Sequence, residues 1–93
     1  MELLTDQEIV TRLGDVPGWE RQGDSIVATH TRADFRDSLL FVGAVAFLAE
    51  AAGHHPDIAI SWNKVTLTLS THSAGGLTDA DFNLAGEISR LPG

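Results

Sequence analysis

Glu50-Ala51-Ala52-Gly53-His54-His55-Pro56 closes the longest apolar segment of the chain, Leu39 to Ala49, and sets two histidines side by side where it ends. Gly53 offers the left-handed residue that commonly stops a helix, and the residue before a proline is pushed towards extended backbone. A helix should therefore reach Ala52 or Gly53 and give way to a strand. Asp57 to Trp62 alternates, with Ile58, Ile60 and Trp62 on the inward side. Asn63 marks a tight turn. Lys64 to His72 alternates again, with Val65, Leu67 and Leu69 on one face and Lys64, Thr66, Thr68, Ser70 and His72 on the other. The period of two on both sides of a short turn predicts a hairpin.

Upstream, Thr5-Asp6-Gln7-Glu8 fits a capping box. It predicts a short helix to about Leu13, stopped by Gly14. Asp15-Val16-Pro17-Gly18 reads as a turn, Trp19-Glu20-Arg21 as a strand, Gly23-Asp24 as a turn and Ser25 to Thr31 as the partner strand. Ile26, Ala28 and His30 share one face of that partner. Asp34 or Thr31 caps the long helix. Phe35, Leu39, Val42, Ala46 and Ala49 form one apolar stripe on it, and Leu40, Ala44, Phe47 and Leu48 an adjoining one. A helix apolar over so much of its girth needs cover on more than one side, and one sheet covers one side only. Gly43, Ala44 and Ala46 allow close approach by another helix. The expectation is a homo-oligomer through the helix at 34–53. Thr78-Asp79-Ala80-Asp81 opens a last helix that carries Phe82, Leu84, Ala85 and Ile88 and stops before Pro92. The order α-β-β-α-β-β-α gives an α+β fold, a four-stranded antiparallel sheet with three helices on one face, as one domain over residues 1–93.

The bulk numbers narrow the function. Ninety-three residues bury a modest core, and no cysteine is present to staple it or to bind a metal through thiolate. The net charge is -7 with histidine neutral, and the six basic residues are scattered, so a nucleic-acid backbone finds no basic stripe to bind. The N-terminus lacks the features of a signal peptide. The apolar run is too short to span a bilayer, and a cytoplasmic protein is expected.

His54, His55, His72 and Asp81 are read as one site. Glu50 and His54, four residues apart, can share a helix face. His55, displaced by the proline, leaves the helix, so the adjacent pair can flank a small cavity. Asp81 with Thr78 looks like a capping pair. One of its oxygens can take the amide while the other takes an imidazole. Zinc ranks low, since adjacent histidines are an unusual ligand spacing and no HExxH occurs. Nucleophilic catalysis lacks its cysteine or elbow serine. His30 is read as structural. What remains is acid/base chemistry at neutral pH by imidazoles.

Glu50-x-x-x-His54-His55-Pro56, Trp62-Asn63-Lys64-Val65, Leu69-Ser70-Thr71-His72 and Gly75-Gly76-Leu77-Thr78-x-x-Asp81 together resemble pterin-4a-carbinolamine dehydratase, a family also known as the dimerisation cofactor of a homeodomain transcription factor. The resemblance implies dehydration of a 4a-hydroxytetrahydropterin to quinonoid dihydropterin. It also implies no cofactor and no metal, and a functional link to an aromatic amino acid hydroxylase. It makes His54, His55 and His72 the catalytic histidines, with Asp81 supporting His72. It makes Glu50, Pro56, Thr71, Ser73 and Ala74 pocket residues along with the histidines, and the assembly a homodimer or homotetramer. Trp62, Ser73 and Gly53 depart from residues common in the family, and Ser73 alters one expected substrate contact. The competing readings are a coactivator-like interaction module and a protein that binds pterin without turning it over.

Overall fold

The computed structural model describes residues 2–92. It contains helix α1 (Asp6–Leu13), strands β1 (Glu20–Gln22) and β2 (Ser25–Thr31), helix α2 (Phe35–Ala52), strands β3 (Asp57–Ser61) and β4 (Lys64–Leu69), a one-turn 3-10 helix (His72–Ala74) and helix α3 (Asp79–Ser89). The four strands form one antiparallel sheet in the order β1-β2-β4-β3. The α+β class and the order of elements are those expected. Residues 1 and 93, the ends of the expected domain, lie outside the described residues.

Local chemistry starts each helix. Thr5 and Glu8 form the capping box of α1, and Thr78 and Asp81 form that of α3. Asp34 caps α2 by accepting the Asp37 amide at 2.8 Å. Each such cap contributes about 1 kcal/mol. Gly14 follows α1 in right-handed rather than left-handed geometry, and the chain leaves through short turns onto Arg12 and Leu13 carbonyls.

The core lies between one sheet face and the helices. Ile26, Val45, Val65, Leu67, Leu69, Leu84 and Ile88 are fully buried there, each contributing on the order of 1.5–3 kcal/mol. The other sheet face is open, and Thr29 and Thr66 share a hydroxyl hydrogen bond on it. His30 sits on the core side as a packing residue, its ring 4.8 Å from that of Phe41 and edge-on to Trp19.

Three expectations need correction. On α2 the core stripe is Ser38, Phe41, Val45 and Ala49, whereas Phe35, Leu39, Leu40 and Phe47 are exposed. A helix apolar all round does not choose its own buried face. Here the choice includes a serine, whose hydroxyl lies within hydrogen-bonding distance of the Asp34 and Trp62 carbonyls. Secondly, Trp62 does not point inward. It stands in the β3–β4 turn with φ 52° and 66% exposure. β3 is an edge strand at the margin of the helix layer, and even Ile58 and Ile60 remain 38% exposed. Thirdly, β4 ends at Leu69. Thr71 bridges to Gly76, and His72 opens the 3-10 turn instead of extending the strand.

Candidate active site

The end of α2 aims the first two histidines. Gly53 is left-handed (φ 63°), and the His54 amide reaches back to the Ala49 carbonyl at 3.1 Å. This turn carries the His54 ring towards the start of α3, where Nε2 lies 2.6 Å from Asp81 Oδ1. His55 returns over the last turn of α2, and its Nε2 lies 2.5 Å from Glu50 Oε2. The pairing expected of Glu50 with His54 thus belongs to Glu50 with His55. The left-handed residue turns the chain between them, so uniform helical spacing does not apply. The support expected of Asp81 for His72 goes to His54 instead, because α2 ends beside the N-terminus of α3.

Asp81 is fully buried. Its two oxygens divide as the sequence allowed, with Oδ1 on an imidazole and Oδ2 on the capping amide of Thr78 at 2.9 Å. Oδ2 also accepts from Thr71 Oγ1 at 2.8 Å. Thr71 is buried as well, held by paired backbone bonds with Gly76. His72, the next residue, is exposed at the opening of the 3-10 turn.

Gly53, His54, His55, Ser70, Thr71, His72 and Ser73 surround one cleft of about 220 Å³. The three histidines are therefore brought together, with Asp81 behind His54 and Glu50 beside His55. Pro56 and Ala74 adjoin these walls in the chain and are not among the lining residues. Gly53 and Ser70 do line it and were not expected to. Ser70 follows the last residue of β4, and the alternation of the sequence had already set it on the face of His72. A larger groove, about 390 Å³, runs beside Leu4, Thr11 and Arg12 and contains no histidine. The smaller cleft, which gathers the three histidines, is the candidate site on chemical grounds.

Among the described residues no three His, Asp or Glu side chains are grouped to hold a metal ion, and no helix is long and apolar enough to cross a membrane. The cleft instead offers imidazoles on two walls, two of them with carboxylate partners. Such a site can move protons to and from a bound molecule.

The pterin 4 alpha carbinolamine dehydratase family profile matches residues 2–91. A Roseiflexus castenholzii protein, provisionally named pterin-4-alpha-carbinolamine dehydratase, is 60% identical over 89 residues, covering 96% of each chain. A similarly named protein from Thermomicrobium roseum is 50% identical over 91 residues, covering 98% of each chain. Among solved structures, a transcriptional coactivator/pterin dehydratase from Brucella melitensis superposes with a TM-score of 0.87 at 31% identity, over 91% of this chain and 93% of that one. A pterin dehydratase-like protein described as a RuBisCO assembly factor of the alpha-carboxysome shares the fold, with a TM-score of 0.66 at 23% identity over 81% of this chain and 89% of that one. By sequence along nearly its whole length, the chain belongs to the pterin 4 alpha carbinolamine dehydratase family.

Proposed function

We propose that the chain dehydrates a 4a-hydroxytetrahydropterin to the quinonoid dihydropterin and water. The observation that carries this reading is His54, backed by the buried Asp81, on the same cleft as His72. The reaction breaks the C4a–O bond, removes the N5 proton and forms the C4a=N5 double bond. It needs an acid at the departing hydroxyl and a base at N5. With Nε2 of His54 engaged by Asp81, Nδ1 is the nitrogen left to accept the N5 proton. A carboxylate behind a histidine fixes its tautomer and meets the positive charge that develops as it takes a proton. His72, across the cleft and free of that constraint, donates to the leaving hydroxyl, and His55 positions it. The electron pair freed at N5 forms the C4a=N5 bond and expels the protonated hydroxyl as water, so the step balances without a redox partner. The carbinolamine is the product of tetrahydropterin-dependent aromatic hydroxylation, which places the activity in recycling of that cofactor.

The exposed apolar face of α2 favours a second property, self-association. Phe35, Leu39, Leu40 and Phe47 lie open to solvent, more apolar helix surface than a small monomer commonly displays. We assign this face to a dimer or tetramer. An interaction-module function without catalysis would use the same face and leave the histidine set without a role.

The test is dehydration of freshly formed 4a-hydroxytetrahydropterin, followed by absorbance, with the wild type beside His72→Ala. Wild-type acceleration that falls roughly a hundredfold or more in the variant supports the reading. No acceleration by the wild type overturns it, and a pterin titration then separates binding without turnover from an interaction role.

A further inference from the structure

Thr71 lines the cleft, and its hydroxyl is bonded into the buried cluster behind His54. It lies 2.8 Å from Asp81 Oδ2 and 2.8 Å from Thr78 Oγ1. Thr71 is 6% exposed, and Thr78 and Asp81 are fully buried. Each hydroxyl has one hydrogen to give. That of Thr71 goes to Asp81, so across the second contact Thr78 is the donor. The Thr78 oxygen in turn accepts the Ala80 amide at 3.3 Å. The hydrogen bonds therefore run one way, from the first turn of α3 through Thr78 and Thr71 to Asp81. Oδ2 is taken by two donors, the Thr71 hydroxyl and the Thr78 amide. Only Oδ1 faces the imidazole, and a carboxylate has only lone pairs to offer it.

We infer that Thr71 is a positioning residue: through its hydroxyl it holds Asp81 so that His54 is kept as the Nε2–H tautomer, with Nδ1 as the acceptor. The inference deepens the proposed dehydratase and rests on it for its catalytic consequence, though not for the tautomer itself. Without the Thr71 hydroxyl, Oδ2 keeps one donor, and the carboxylate can rotate about its terminal bond, a soft torsion. The capping amide alone would then anchor Asp81, and the Oδ1–Nε2 contact would no longer be fixed in one orientation.

The experiment pairs Thr71→Val, which removes the hydroxyl at nearly constant volume, with Thr71→Ser, which keeps it. Long-range proton–nitrogen NMR at about pH 8, where an ordinary imidazole is neutral, reads the His54 tautomer in the ligand-free protein. The wild type and Thr71→Ser are expected to show Nε2–H, and Thr71→Val a mixture of tautomers. In turnover, Thr71→Val should lower kcat roughly tenfold or more with KM little changed, and Thr71→Ser should restore it. A wild-type His54 carrying its proton on Nδ1 overturns the inference even if Thr71→Val does not fold. So does a folded Thr71→Val with the wild-type tautomer. Expected tautomers in all proteins, with no dehydration by the wild type, leave this assignment standing and remove the dehydratase reading instead.

Discussion

Asp81 Oδ1 lies 2.6 Å from His54 Nε2, although Asp81 is also the residue that closes the capping box of α3. One side chain thus starts a helix and orients an imidazole. Asp81→Asn separates the two tasks. Asparagine can still accept the Thr71 hydroxyl and the Thr78 amide through its oxygen, so the helix should start as before. Its NH2 then faces His54 Nε2 and donates to it, forcing the ring proton onto Nδ1. Turnover should fall by about a hundredfold or more, as expected when a base is held in the wrong tautomer. The loss of a buried charged acceptor should cost about 1–3 kcal/mol in denaturant unfolding. A variant with near-normal turnover would show that the tautomer of His54 does not matter.

His30 predicts a pH dependence of stability unconnected with the cleft. Its ring packs on Phe41 and Trp19, and Nδ1 is buried with no hydrogen-bond partner among the described residues. Burial, and then the nearby Arg32 guanidinium, hold its pKa below the ordinary 6.5. The unfolded chain therefore takes up the proton before the folded one does. This contribution to stability is complete above about pH 6.5 and is lost as the pH falls from there through the lowered folded-state value. Asp37 acts in a lower window. The Ala33 amide, and then Arg32, depress its pKa below 3.8, so its contribution is present above that value and drains only in stronger acid. Thermal unfolding of the wild type and His30→Phe between pH 7.5 and 5 should diverge, with the wild type losing more stability as the pH falls. Phenylalanine suits a ring already set between two aromatics. Parallel curves would mean that His30 does not contribute to the slope.

What was legible in the sequence was local. Thr5 with Glu8, Thr78 with Asp81, the glycine turn at Gly53 and the period of two in Ser25 to Thr31 are each decided within a few residues, and each stands where expected. The sequence also allowed Asp81 to serve an amide and an imidazole together. Which imidazole depends on the end of α2 meeting the start of α3, a contact between residues 27 apart that no local pattern encodes. The burial of Phe41 and Val45 was hidden for another reason. Neighbours on every side of α2 are equally apolar, so hydropathy could not point to the sheet. Trp62 misled through strand alternation, which assigns a face but does not say that the strand lies at the edge of its helical cover.

The apolar face left open by that helix gives the last prediction. Phe47 is 74% exposed on α2, so a charge there should be tolerated by the isolated fold and penalised only where another helix covers the ring. Phe47→Glu in two facing copies would bury two carboxylates against apolar surface. Unpaired, each costs several kcal/mol, more than a modest helix interface supplies. Sedimentation should show the wild type as a dimer or tetramer and Phe47→Glu shifted towards the monomer. The circular dichroism of the variant should match the wild type, because no core contact of Phe41, Val45 or Ala49 is changed. If Phe47→Glu sediments with the same mass as an oligomeric wild type, the assembly uses another surface. The free edge of β3, with Ile58 and Ile60 half-exposed beside unpaired backbone, would then be the next surface to test.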